Sequence, residues 1–458
     1  MNHLREAYRE RFPRSGRINQ RALGSLVDGG SHSLRLIRPF PPRIARAQGA
    51  RIEDEEGNRI LDFWQGHFAN ILGHNPPAIT SGLAWMFASG AGLQTGFADR
   101  LQVEAAELLC RCTGSERVRF TTSGTLATMY AVLLARAYTG RELVVKAGGG
   151  WHGAHPWGLK GIGFQLDGDS GGFENVESAG LGSSAMEEVV VTRYNDPGLL
   201  ADQFRRLGDR AACLIVEPFM GAGGFIPADI EYLQAARELT SRHGSLLIFD
   251  EIISGFRFRA GDAGTLYGVR PDLATFGKIM GGGMPVSAVG GRARVMKLLE
   301  KESSRFVRFS GGTYAAHPSS LLAARDCMRH LVEHEEEIYP AIGRLGEQAR
   351  KTLEAAFTRE GIPARCTGYG NEAVPESSLG MLVFPRDGQA VFRRPEDVHD
   401  PRRCDTLLAG EGLQLAFLLE NIHVVRGFGS VSTAHTEADI RLLGEAAGRV
   451  ASLFRKLR

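Results

Sequence analysis

Cysteine is scarce in this chain, with six in 458 residues. That is too few for a disulfide framework at this length. Cys110 and Cys112 stand too close for an ordinary bridge and have no metal-ligating neighbours in the sequence. All six therefore read as reduced thiols, as expected of a cytoplasmic protein. A dominant charge is also missing. The 54 Lys and Arg nearly balance the 52 Asp and Glu, for a net charge of +2. Nothing in that balance argues for nucleic acid. The basic pairs Arg402-Arg403 and Arg455-Lys456 are short and read as solvated faces. No apolar run reaches the ~18 residues of a spanning helix, so no membrane partner is expected. The start, Met1-Asn2-His3-Leu4-Arg5-Glu6-Ala7, lacks the apolar core of a signal peptide. Glu6 and Glu10 argue against a mitochondrial transit peptide. There is no internal repeat and no long low-complexity linker.

Glycine is plentiful. Its 58 residues are spread along the chain, which implies many tight turns and close backbone approaches. The content of 43% hydrophobic and 23% charged residues is ordinary for a soluble globular enzyme. The length suits two domains, or one large domain with a satellite.

Residues 1–30 read as an arm with a short polar helix near Leu4–Phe12. Arg43–Ala47, Ala50–Glu53 and Arg59–Phe63 read as a small antiparallel meander. From residue 76 the pattern becomes helix and strand in alternation. Residues 101–112 and 124–138 have helical periodicity, as do Gly198–Leu207 and Ile230–Arg242. Val144–Lys146, Glu188–Thr192, Ala212–Val216, Leu246–Phe249 and Leu273–Phe276 are short apolar or β-branched runs. This is the signature of an α/β fold with a mainly parallel central sheet and helices on both faces. Beyond residue 320 come helices at Ser320–Glu333, Glu336–Arg359 and Glu437–Lys456. Strands are expected near Met381–Phe384 and Ile422–Val425, and a loop over 385–403. The expected organisation is an arm and part of a small α+β lobe in 1–75, a large domain in 76–320, and the rest of the small lobe in 321–458.

Active sites of such sheets lie at the carboxyl ends of strands. Asp250 and Lys278 both follow strand-like runs and point at one rim. A lysine amine can hold an aldehyde cofactor as a Schiff base and later move a proton as base and acid. A buried aspartate stays ionised opposite a pyridinium N–H⁺, which makes the ring an electron sink. Phe120-Thr121-Thr122-Ser123-Gly124-Thr125 ends a strand and opens a helix, so Ser123, Gly124 and Thr125 can cradle a phosphate. Taken alone, the segment reads as a Ser/Thr N-cap. Trp151 could stack on a ring, with Ile252 packed on its other face. His152 and His155 have a metal-like spacing but lack a third ligand. A polar role in the loop suits them better, and no metal is expected.

Together these pieces resemble a class III PLP-dependent aminotransferase of fold type I, nearest the glutamate-1-semialdehyde 2,1-aminomutase branch. The likeness spans roughly residues 25–450. It is most specific at Asp272-Leu273-Ala274-Thr275-Phe276-Gly277-Lys278, which runs into Gly281-Gly282-Gly283-Met284-Pro285. Val216-Glu217-Pro218, Phe249-Asp250-Glu251-Ile252-Ile253-Ser254-Gly255-Phe256-Arg257 and Gly312-Thr313-Tyr314 add to it, and Ser432-Thr433-Ala434-His435-Thr436-Glu437 matches more weakly.

The resemblance implies pyridoxal 5′-phosphate (PLP) as cofactor, with Lys278 and Asp250 as the catalytic pair. It implies cofactor contacts from Ser123, Gly124, Thr125, Trp151, His152 and Ile252. Thr313 would reach the phosphate of a neighbouring subunit, which implies a homodimer with shared active sites. Residues 161–184 match a gating loop. Arg35 or Arg38 would bind a substrate carboxylate, with His67 and Glu217 also on the substrate side.

The chain departs from the aminomutase pattern in four places. Leu126 replaces a glutamate, and His67 stands for a tryptophan. Ala222 stands for an asparagine that contacts the cofactor's phenolic oxygen. Val425-Arg426-Gly427-Phe428-Gly429-Ser430 lacks a substrate-facing glutamate. These departures favour an aminotransferase acting on a small amino donor and a carbonyl acceptor. The alternatives are intramolecular amino transfer of the aminomutase type, a racemase, and a catalytically silent PLP-binding protein.

Overall fold

The structure, a computed structural model, describes residues 2–165 and 171–457. Residues 166–170, inside the expected gating loop, lie outside the described residues. The centre is a seven-stranded sheet. Its strands in chain order are β1 (Arg117–Thr121), β2 (Leu143–Ala147), β3 (Val189–Thr192), β4 (Ala211–Val216), β5 (Leu246–Asp250), β6 (Leu273–Phe276) and β7 (Ser287–Gly291). Their spatial order is β1-β7-β6-β5-β4-β2-β3. Only β7 runs antiparallel to its neighbours.

The apolar runs of β4, β5 and β6 are buried along their whole length because both faces are covered. Alternate residues serve opposite faces. Cys213, Ile215, Leu246, Ile248 and Leu273 pack in one cluster with the helix Gly124–Thr139. Leu214, Val216, Leu247 and Phe249 join the other core, with Tyr232 and Leu233 of the helix Ile230–Arg242. The expected α/β class is thus observed. β7, with the sequence Ser-Ala-Val-Gly-Gly, went unread because its short run of small residues carries no strand signal. It is held by pairing on both sides.

A second sheet joins the two ends of the chain. Ile44–Gln48, Arg51–Asp54 and Arg59–Asp62 form the expected meander, and Ile422–His423 pairs parallel to Arg59–Asp62. The joint is reinforced by one buried carboxylate. Asp62 accepts hydrogen bonds from His423 Nδ1 at 2.8 Å and His74 Nε2 at 2.7 Å. Burial opposes its charge, yet these two bonds hold Asp62 well below the usual carboxylate range. The helices Glu335–Arg359 and Glu437–Leu457 pack against each other.

Two stretches differ from the sequence expectation. A second N-terminal helix spans Pro13–Leu23, with proline in its first turn where no N–H is needed. The expected loop over 385–403 contains a short helix, Pro395–His399. Asp397 fixes its start by accepting from the N–H groups of Arg393 and Arg394.

Candidate active site

Asp250 is the last residue of β5, and Lys278 lies two residues beyond β6. Both line a cavity of about 200 Å³ together with Ser123, Gly124, Thr125, Trp151, His152, Glu217 and Ile252. Nine residues singled out from the sequence therefore meet at one rim.

The Asp250 carboxylate is tightly placed. Its Oδ1 accepts from Thr275 Oγ at 3.0 Å and from the Ile252 N–H at 3.2 Å. Its Oδ2 accepts from His152 Nδ1 at 2.8 Å. His152 is buried, and burial lowers its affinity for a proton despite the Asp250 bond. It therefore serves as a neutral donor through Nδ1. Among the described residues its buried Nε2 has no partner. In the loop after β2, His152 is the neighbour that orients Asp250. His155 Nε2 lies 3.2 Å from Thr128 Oγ1.

Lys278 has a positive φ of 46°, at the start of a tight turn through Gly281. Burial lowers its affinity for a proton, opposed by the charges of Asp250 and Glu217. Glu217 is buried with one oxygen accepting the Trp151 N–H at 3.0 Å and the other the Gly221 N–H at 2.8 Å. Burial, and then the Asp250 charge, push it up to about 8. Trp151 keeps 43% of its surface exposed while lining the cavity.

One end of the cavity is the start of the sixteen-residue helix Gly124–Thr139. Ser123 is a true N-cap, its side chain accepting from the Leu126 N–H at 3.3 Å. The cap and cradle readings are compatible, since the first N–H groups of the helix remain free for an anion. Backbone approach is close here. A β-carbon on Gly124 would lie 3.1 Å from Ile252, and one on Gly153 would lie 2.6 Å from the Thr125 backbone. A lysine, an oriented aspartate across from it, a part-exposed indole and a helix start thus fit a phosphorylated pyridine aldehyde. The unpartnered His152 nitrogen marks the same polar environment.

Several contributors went unread in the sequence. Thr275, internal to β6, orients Asp250. Lys146, in β2, is fully buried. Its Nζ donates to the carbonyls of Gly150 and Gly158 at 3.0 Å each and of Lys160 at 2.7 Å. Three acceptors around one nitrogen require three N–H groups, hence an ammonium. Burial nevertheless pulls it down to about 7. It ties together the loop that carries Trp151 and His152. A lysine inside Leu143-Val144-Val145-Lys146-Ala147 was the available signal. Arg426 donates to the Ala222 carbonyl, and the Glu217 charge is felt at its guanidinium.

The other expected residues stand apart from this cavity. Arg35 Nε donates to His67 Nε2 at 3.1 Å, close enough to Lys278 for its charge to act on His67. Arg38 is exposed, and so is Thr313.

The class-III aminotransferase family model matches residues 36–374. A glutamate-1-semialdehyde 2,1-aminomutase of Laribacter hongkongensis is 34% identical, over 93% of this chain and 93% of its own. An ω-transaminase from Sphaerobacter thermophilus superposes with a TM-score of 0.86 at 29% identity, covering 96% of this chain and 98% of its own. A β-phenylalanine aminotransferase from Variovorax paradoxus gives 0.82 at 30% identity, covering 97% and 96%. The same rim of strand ends, with its lysine and its oriented aspartate, is what such enzymes need to work with PLP, and the chain belongs to the class-III aminotransferase family of PLP-dependent enzymes.

Proposed function

We propose that this chain is an aminotransferase for a small amino donor that carries a carboxylate away from the reacting amine, with β-amino acids as the favoured class. One observation carries the reading. A complete Lys278–Asp250 cavity is combined with His67 in place of the aminomutases' tryptophan, and with Arg426 in the segment that lacks their substrate-facing glutamate. The structural likeness to a β-phenylalanine aminotransferase supports the choice of donor.

When bound, PLP supplies an electron sink for the bond broken next to the amine nitrogen. The protein does the rest. Lys278 Nζ takes and returns the proton at the substrate carbon. Asp250, held by Thr275, Ile252 and His152, keeps the ring nitrogen protonated. Ser123, Gly124 and Thr125 would hold the phosphate, and Trp151 and Ile252 would pack against the ring. Glu217 lies on the substrate side. The loop over 161–184 excludes water. Two half-reactions follow, the first from the donor and the second to a keto acid or aldehyde.

A homodimer completes the site in this reading. Trp85, Leu93 and Phe97, close in sequence, expose 68%, 78% and 74% of their surfaces, as apolar side chains destined for an interface would. Thr313 would then reach the neighbouring phosphate. Mixing Lys278→Ala with Thr313→Ala chains should restore part of the activity, because each hybrid dimer keeps one intact site. Six free thiols suit the reducing cytoplasm.

The test of function is a half-reaction screen of α-, β- and ω-amino compounds, read as loss of the cofactor's visible band. The proposal fails if no donor converts it. The second reading, an aminomutase, is favoured by the 34% identity to the Laribacter enzyme. It predicts turnover of a single substrate with no separate acceptor.

A further inference from the structure

Four consecutive residues outside the cofactor cavity have positive φ: Gln65 at 48°, Gly66 at 60°, His67 at 60° and Phe68 at 67°. They make one turn of left-handed helix, and three of them carry a β-carbon. That conformation drives the β-carbon against the next carbonyl and is uncommon even for single residues. It persists where the surroundings over-determine it, and such places cluster at functional sites.

The surroundings here do so from both sides. Asp62 accepts from the N–H groups of Trp64 and Gln65, both at 2.9 Å. Gln65 Nε2 donates back to the Asp62 carbonyl at 2.7 Å. At the far end the buried guanidinium of Arg257 donates to the Phe68 carbonyl. A right-handed turn would send the residue 67 side chain elsewhere.

The turn delivers an imidazole. The His67 ring lies 4.7 Å from those of Trp64 and His32. Burial, with the charges of His32, Arg35 and Lys278, pushes His67 down to about 4. It is therefore neutral near pH 7 and can accept the Arg35 Nε–H at 3.1 Å. Arg35 is exposed, and its side chain makes no other hydrogen bond among the described residues. Held at Nε, a guanidinium presents its two Nη groups end-on, the geometry that takes a carboxylate through paired bonds.

We infer that His67 is a specificity-determining residue: it holds Arg35 end-on toward a substrate carboxylate, and the left-handed turn exists to keep it there. The inference rests on the carboxylate-donor reading above and assigns the device that selects for it.

The test uses the holoenzyme and 3-phenylpropanoate, a carboxylate without an amine, so that no turnover is needed. Its dissociation constant is read from the shift of the cofactor band. His67→Gly, which relieves the turn and removes the acceptor, should weaken binding at least tenfold while its Tm stays at or above wild type. His67→Gln keeps an acceptor and should stay within about threefold of wild type. With donors, the kcat/KM ratio of 3-amino-3-phenylpropanoate to 1-phenylethylamine should fall at least tenfold in His67→Gly. Undiminished binding by His67→Gly, or equal losses in His67→Gly and His67→Gln, would overturn the inference. A Tm several degrees below wild type for His67→Gly would overturn the strain argument. Arg35→Ala separates the two levels. If it alone loses binding, the carboxylate reading stands without His67; if neither variant loses it, the reading itself falls.

Discussion

Asp250 lines the Lys278 cavity and His67 stands outside it, and the two are held by different means. Asp250 sits at a strand end, held by Thr275 on the neighbouring strand, by Ile252 two residues on and by His152 in the loop after β2. His67 sits on a strained turn, clamped by Asp62 at one end and by Arg257, nearly two hundred residues on, at the other. The first arrangement costs little because regular strands aim the side chain. The second is paid for by the packing around it. The difference matches the division of labour: cofactor chemistry is shared by a family, whereas substrate choice belongs to one member of it.

The comparison can be broken from its strongest side first. Lys278→Ala should abolish both half-reactions, a loss on the order of 10⁴ or more, and borohydride treatment followed by mass spectrometry should no longer tag residue 278. Asp250→Asn should cost on the order of 10²–10³ in kcat with a smaller change in KM, since it acts on the charge developed during reaction. Lys146→Met leaves three buried carbonyls without their donor. A loss of about 2–4 kcal/mol in stability is expected, read as a lower urea midpoint. On the substrate side, Arg35→Ala should raise KM for carboxylate donors by roughly tenfold, about 1.4 kcal/mol, with kcat little changed.

Glu217 can be probed through pH. Its folded value of about 8 lies above the ordinary carboxylate value of about 4.3. Between those values the native state holds a proton that the unfolded chain has released. This group's contribution to stability therefore falls as pH rises from about 4.5 to 8. Glu217→Gln should match wild type near pH 4 and gain an increasing Tm advantage up to pH 8 in the cofactor-free protein. A constant Tm difference across that range would show that Glu217 is ionised throughout.

Strand ends were easy to read because apolar runs terminating in Asp250 and near Lys278 leave a direct mark in the sequence. The helix start was legible for the same reason: Ser123-Gly124-Thr125 carries capping and close-approach chemistry within three residues. Lys146 and Thr275 were not read, because a polar residue in an apolar strand reveals its purpose only once its partners are in place. The turn at Gln65–Phe68 has a single glycine, and no local preference predicts four left-handed residues. Its cause is the distant Arg257 and the buried Asp62. The helix at Pro395–His399 was missed because five residues carry too little periodicity.

The parallel pairing of Ile422–His423 with Arg59–Asp62 has a bearing on how the enzyme is made. A ribosome releases residue 59 long before residue 422, so the edge of the first segment must wait, unpartnered, for most of translation. The Asp250 rim can close on itself during that time. A nascent chain stalled near residue 400 should therefore already have a shaped nest for the cofactor while offering no seat for a substrate.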